Sequence, residues 1–128
     1  MGYRSDVAAG IRREDCRRLF AAAHKESLRP SNPKKARCYD ENGSPEDFLA
    51  SAVVTEHDRG SDGLWTTLKW LNIKWYPQYE AVKFIESFLK GLDEYQYIRF
   101  GDDVDDVEVR DTSPVWLIDT RREIIVVP

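Results

Sequence analysis

Cysteine, histidine and long apolar runs are scarce in this chain, and each scarcity removes a class of chemistry. Two cysteines, Cys16 and Cys38, among 128 residues are too few for the disulfide framework of a small secreted domain, so both are expected to be reduced thiols. His24 and His57 combine with them in none of the short paired spacings that structural zinc sites use. No stretch approaches the ~20 apolar residues of a membrane span. The opening Met1-Gly2-Tyr3-Arg4-Ser5-Asp6 lacks the apolar centre of a signal peptide. The expected location is the cytoplasm, with no membrane partner. Also missing are a glycine-rich phosphate loop and a Gly-x-Ser-x-Gly nucleophile elbow. Cys16 and His24 lie about two helical turns apart, too far to act together as nucleophile and base. His57, at the start of a turn, reads as a surface residue. No catalytic residue and no cofactor are expected.

What is present suffices for one packed core. The chain is 41% hydrophobic and 33% charged and carries 5 Phe, 4 Trp and 6 Tyr, enough large apolar side chains to offset chain entropy. Its length fits one domain over residues 1–128 and leaves no room for a second core. The net charge of -4 conceals a segregation. Residues 1–37 hold ten Arg or Lys against four acids, and residues 92–111 hold eight acids against Arg99 and Arg110. The two ends either steer a charged partner or pair with each other inside the domain.

Hydrophobic periodicity orders the elements. Residues 3–11 alternate Tyr3, Ser5, Val7, Ala9 and Ile11 with more polar or smaller residues, the period of a strand. From 14 to 28 the period becomes helical, with Cys16, Leu19, Phe20, Ala23 and Ser27 on one face. Residues 29–47, with Pro30, Pro33, Pro45, Lys34, Lys35, Arg37 and Asn42-Gly43-Ser44, read as a long loop. Phe48–His57 and Leu64–Trp75 read as strands joined by a turn over Asp58–Gly63. The second of them places Trp70 and Trp75 on opposite faces. A helix begins with Pro77 in its first turn, striped by Ala81, Phe84, Ile85, Phe88 and Leu89 and stopped by Gly91. Tyr95–Phe100 is a further strand, and Val115–Asp119 with Ile124–Val127 forms a terminal hairpin. The order βαββαβ plus hairpin predicts an α+β domain of the ferredoxin-like split βαβ type, with two helices on one face of an antiparallel sheet. The hairpin either extends the sheet or covers its open face.

Between the last strand and the hairpin runs Gly101-Asp102-Asp103-Val104-Asp105-Asp106-Val107-Glu108. Asp102, Asp103, Asp105, Asp106 and Glu108 are the candidate partner-binding residues, able to enter a basic groove as phosphates would. A hard cation is the alternative occupant, and a metal-dependent hydrolase the corresponding activity, although the run lacks the glycine and spacing of a calcium loop. A second alternative is nucleic-acid binding by Lys34, Lys35, Arg37, Lys69 and Lys74 with bases stacked on sheet aromatics. The opening Gly2-Tyr3-Arg4-Ser5-Asp6-Val7, together with Lys74-Trp75-Tyr76 and Tyr97-Ile98-Arg99-Phe100-Gly101-Asp102-Asp103, resembles a group of small uncharacterised phage and prophage proteins. That resemblance implies an accessory protein that binds and inhibits a host or defence-system protein. It supplies no catalytic residues.

Overall fold

A computed structural model describes residues 4–28, 44–102, 106–119 and 125–126. The elements run β1 (Ser5–Arg12), α1 (Arg13–Ser27), α2 (Pro45–Ala50), β2 (Val53–Asp58), β3 (Leu64–Ile73), α3 (Glu80–Lys90), β4 (Gln96–Phe100), β5 (Val107–Asp111), β6 (Ile118–Asp119) and β7 (Ile125–Val126). Strands one to five form an antiparallel sheet in the order β2-β3-β1-β4-β5, and β6 pairs with β7. The architecture is α+β, with three α-helices among the described residues where two were expected. No helix among the described residues is long and apolar enough to cross a membrane.

The additional helix arises from a capping box. The Ser44 hydroxyl accepts the Asp47 N–H while Asp47 reaches back to the Ser44 N–H, with Pro45 in the first turn. These contacts satisfy end groups that a helix otherwise leaves open. Phe48, expected in a strand, is therefore helical, and β2 begins only at Val53. Pro77 likewise lies ahead of α3 rather than in its first turn, because Tyr79 is the cap.

Contrary to the expectation that a second core would not fit, two clusters of buried residues form, one on each side of the single sheet. Val7, Ala9 and Ile11 of β1 share one with Cys16, Leu19 and Ala23 of α1, Phe48 and Leu49 of α2, and Ile85 and Leu89 of α3. Ala8, Trp65 and Ile98 point the other way and meet Leu117 and Ile118. The segment entering the terminal hairpin thus covers the face opposite the helices. A Cβ on Gly10 would stand 2.7 Å from Leu117 Cδ1, so any larger residue at this position of β1 would force Leu117 to shift. Of the expected first hairpin strand, only Ile118–Asp119 is extended as β6, with Ile118 opposite Val126 and Asp119 opposite Ile125.

Trp70 and Trp75 are not on opposite faces. Ser5 aligns with Ile73 and Val7 with Trp70, so β3 holds one extra residue in a bulge. Asn72 takes φ 52° there, a left-handed conformation that asparagine tolerates better than most side chains. Its N–H is bonded by Asp6 Oδ1 at 2.8 Å and its carbonyl accepts from Arg4 Nη1 at 3.2 Å. The bulge resets the alternation and brings both indoles into the helix-side core, with ring centroids 5.5 Å apart.

Candidate binding cleft

On the helix side of the sheet, the alternation of β4 and β5 sets Tyr97 opposite Arg110 and Arg99 opposite Glu108. Helix α3 passes over them and contributes Val82, Lys83, Glu86, Ser87 and Lys90. With Trp75, Tyr76 and Pro77 as one wall, these α3 residues together with Tyr97, Arg99 and Glu108 line a cleft of about 430 Å³, a size suited to a small ligand or a few side chains.

Its charges are ordered by each other. Arg99 donates to both oxygens of Asp106, at 2.8 and 3.2 Å, in the bidentate geometry that makes such pairs strong. Arg110 Nη2 donates to Glu86 at 2.8 Å and to Glu108 at 3.2 Å. The guanidinium lies over the Tyr97 ring at 4.1 Å. Burial opposes the charge on Arg110, but Glu86, Tyr97, Tyr95 and Glu108 outweigh it and raise its pKa. Lys83 and Lys90 on the rim reach Glu80 and Glu86 at 3.9 Å, loose exposed pairs of small energetic weight.

Tyr97 is 1% exposed, and its hydroxyl has no hydrogen-bond partner. Burial, then the charges of Glu86 and Glu108, push its pKa well above that of an ordinary phenol. The folded state thus holds this proton more tightly than the unfolded chain. The contribution to stability is complete below the unfolded value of 10.0 and is lost as pH rises beyond it. Tyr97→Phe is expected to flatten the alkaline limb of stability, measured by urea unfolding between about pH 8 and pH 11, while changing neutral stability by under about 1 kcal/mol. A limb as steep as in the parent protein would contradict this assignment.

The acidic run proves to be part of the sheet, since Val107–Asp111 is β5. Asp106 and Glu108 both line the cleft. Asp102 lies elsewhere, accepting the Arg4 N–H at 3.3 Å. Asp103 and Asp105 fall outside the described residues, as do Lys34, Lys35 and Arg37. Among the described residues, the side chains of Arg12, Arg13 and Arg18 turn to other acids than this run: Arg12 pairs with Glu94, Arg13 with Glu56 and Arg18 with Asp15. Arg99 and Arg110 pair with Asp106 and Glu108 instead, and sequence reasoning overlooked them as site residues. Their signal was present, because Tyr97, Arg99, Glu108 and Arg110 fall on one face at the period of a strand.

Lys69 and Lys74 are half-buried on β3 and just beyond it. Trp65, Trp70 and Trp75 are all buried, so these three rings offer no surface on which bases could stack. His57, expected at the surface, is 4% exposed, with Nε2 3.1 Å from Thr67 Oγ1 and Nδ1 3.3 Å from Arg59 Nη2. Its side chain falls on the hairpin side of the sheet, aligned with Trp65. Cys16 is a buried thiol whose pKa is raised by burial and then by Glu56, the reverse of what a nucleophile needs. Among the described residues, no three His, Cys, Asp or Glu side chains gather as a metal site.

The cleft therefore offers fixed donors and acceptors beside an aromatic wall, an arrangement suited to binding. In comparisons with known proteins, no family model, no curated protein and no solved structure matches this chain.

Proposed function

We propose that this chain is a non-catalytic accessory protein of the phage type that acts by occupying a host or defence-system protein, taking a projecting segment of it into the cleft beneath α3. The observation that carries the reading is the mutual ordering of Arg99, Asp106, Glu86, Arg110 and Glu108. Side chains already held by ion pairs lose little entropy when a partner arrives, and binding retains more of its contact energy. Tyr76 and the rim lysines add an amphipathic edge of the kind that anchors interfaces. The resemblance to phage proteins points to the same class of partner. Asp106 and Glu108 keep a role in it, as half of a mixed-charge rim rather than as a free negative surface.

The fold reading accompanies this proposal. Strands β1 and β2 are each antiparallel to the intervening β3, and α1 lies between them in sequence. That supports a ferredoxin-like split βαβ unit to which β5 and the terminal hairpin are additions.

Affinity capture from host lysate followed by mass spectrometry tests the function, comparing the parent chain with a Tyr76→Ala, Lys83→Glu, Lys90→Glu variant. The same partner should be lost at least tenfold, with circular dichroism unchanged. Equal capture by both proteins would remove the cleft from the interface, and recovery of nucleic acid alone would overturn the reading.

A further inference from the structure

Among the described residues, strand β5 ends the sheet. The Gly101 N–H donates to the Asp106 carbonyl at 2.7 Å and the Thr112 N–H to the Tyr95 carbonyl at 2.9 Å. Both bonds continue the register that aligns Phe100 with Val107 and Gln96 with Asp111. In an antiparallel ladder, hydrogen-bonded and non-bonded pairs alternate. Glu108 and Arg110 therefore turn their N–H and C=O groups toward β4, while Val107, Val109 and Asp111 turn theirs outward.

Side chains alternate in the same way. Glu108 and Arg110 lie on the helix side. Val107 and Val109, aligned with Phe100 and Ile98, carry the hairpin-side core out to the edge, where they remain 43% and 46% exposed. Outward backbone groups beside exposed β-branched residues, without proline, lysine or a bulge, form an edge open to pairing.

We propose that the occupant of this edge is a second copy of the chain, pairing β5 with β5 antiparallel about a two-fold axis through Val109. Charge selects that register. With Val109 opposite its own copy, Glu108 faces Arg110 of the other chain twice over, as opposite charges on paired strands should. Arg110 Nη2 already meets Glu86 and Glu108, and Nε and Nη1 are buried, so the new pairs act through charge across the strands rather than through a free donor. The same register pairs Val107 with Asp111, so the outward groups of all three residues are used. A shift that centres Glu108 or Arg110 sets like charges face to face and uses fewer outward groups. One residue of slip in the other parity would place helix-side and hairpin-side residues opposite each other. The valines of the two copies then form one strip across the junction of a continuous ten-strand sheet, five from each copy. Such an interface is isologous and closes at two. It does not depend on the cleft reading, because mass alone tests it.

A contact made by one short strand lies at the small end of interface sizes, so the dimer should dissociate on dilution. Sedimentation across a dilution series is expected to show monomer and dimer exchanging. Val109→Pro removes the central outward N–H without breaking a bond to β4, and should leave a monomer with unchanged circular dichroism. Val54→Pro makes the equivalent change on the opposite edge, where the Arg59 to Gly63 bond and the β2–β3 register turn the Val54 N–H outward. That variant should still dimerise. In a Cys38→Ser background, Val109→Cys should form an intermolecular disulfide on mild oxidation, and Glu108→Cys should not. A monomeric parent at every concentration overturns the proposal. So does a dimer that survives Val109→Pro, or cross-linking through position 108 instead of 109.

Discussion

Replacing Gln96 by leucine is expected to lower stability by about 3 kcal/mol or more and to release the carboxyl-terminal segment from the sheet. Gln96 is 1% exposed, and its amide is fully engaged. Oε1 accepts the Leu117 and Ile118 N–H groups at 3.1 and 3.0 Å. Nε2 donates to the Ile118 carbonyl at 3.1 Å and to Asp111 at 3.4 Å. Leucine fills much of the same volume but leaves two N–H groups and a carbonyl without partners in a closed site. Each orphaned group costs about 1–3 kcal/mol, well above the net worth of a single bond. The loss falls on the segment that seats Leu117 over Gly10, so Trp116 should become a site of chymotryptic cleavage while the helix-side core persists. Urea unfolding and timed proteolysis measure the two effects. A loss under about 1 kcal/mol would mean that these backbone groups reach water in the folded protein.

Trp70→Ala should be the more damaging change on the helix side, at about 3–5 kcal/mol. The indole is stacked on Phe48 with centroids 5.1 Å apart, meets Trp75 at 5.5 Å, and donates its N–H to the Phe48 carbonyl at 3.1 Å. Truncation therefore leaves a cavity at the point where α2 joins the core, while the Phe48 carbonyl keeps the Ser51 N–H at 3.1 Å and the Ser51 hydroxyl at 2.6 Å. Helix α2 has six residues, too few to persist without packing, and is expected to undock. The near-ultraviolet circular dichroism of the coupled rings should collapse with it. Trp70→Phe, which keeps a stacked ring and forfeits the hydrogen bond and some volume, should cost about 1–2 kcal/mol. Equal losses for the two variants would show that α2 docking does not depend on the ring.

These two sites differ in how far the sequence disclosed them. Helix α3 was legible because Ala81, Ile85 and Leu89 repeat at the helical period, and all three are core residues. The β2–β3 hairpin was legible because Gly60 and Gly63 supply the positive φ its turn requires. Helix α2 was missed although Ser44, Pro45 and Asp47 spelled its cap, because the surrounding prolines and lysines favoured a loop. Strand β5 was obscured by composition. Its valines alternate with Glu108 and Arg110 at the period of a strand, but the acids around them suggested a solvated run. The bulge at Asn72 left no readable trace in the hydrophobic pattern, since it exists to match β3 to β1 and to Asp6.

Taken alone, the order of residues determined the local periods: which stretches coil, which extend, and which side chains share a face within each stretch. That follows from backbone geometry, which acts between near neighbours in the chain. Only the assembled sheet decided which charges meet. Arg99 meets Asp106, and Arg110 meets Glu86 from a different element, because pairing β4 with β5 beneath α3 brings them within hydrogen-bond reach. Coulomb attraction at these distances is strong enough to fix a side chain and weak enough in water to leave no mark on the sequence pattern. The acidic run was therefore visible as composition, while its conversion into an ordered cleft wall required the third dimension.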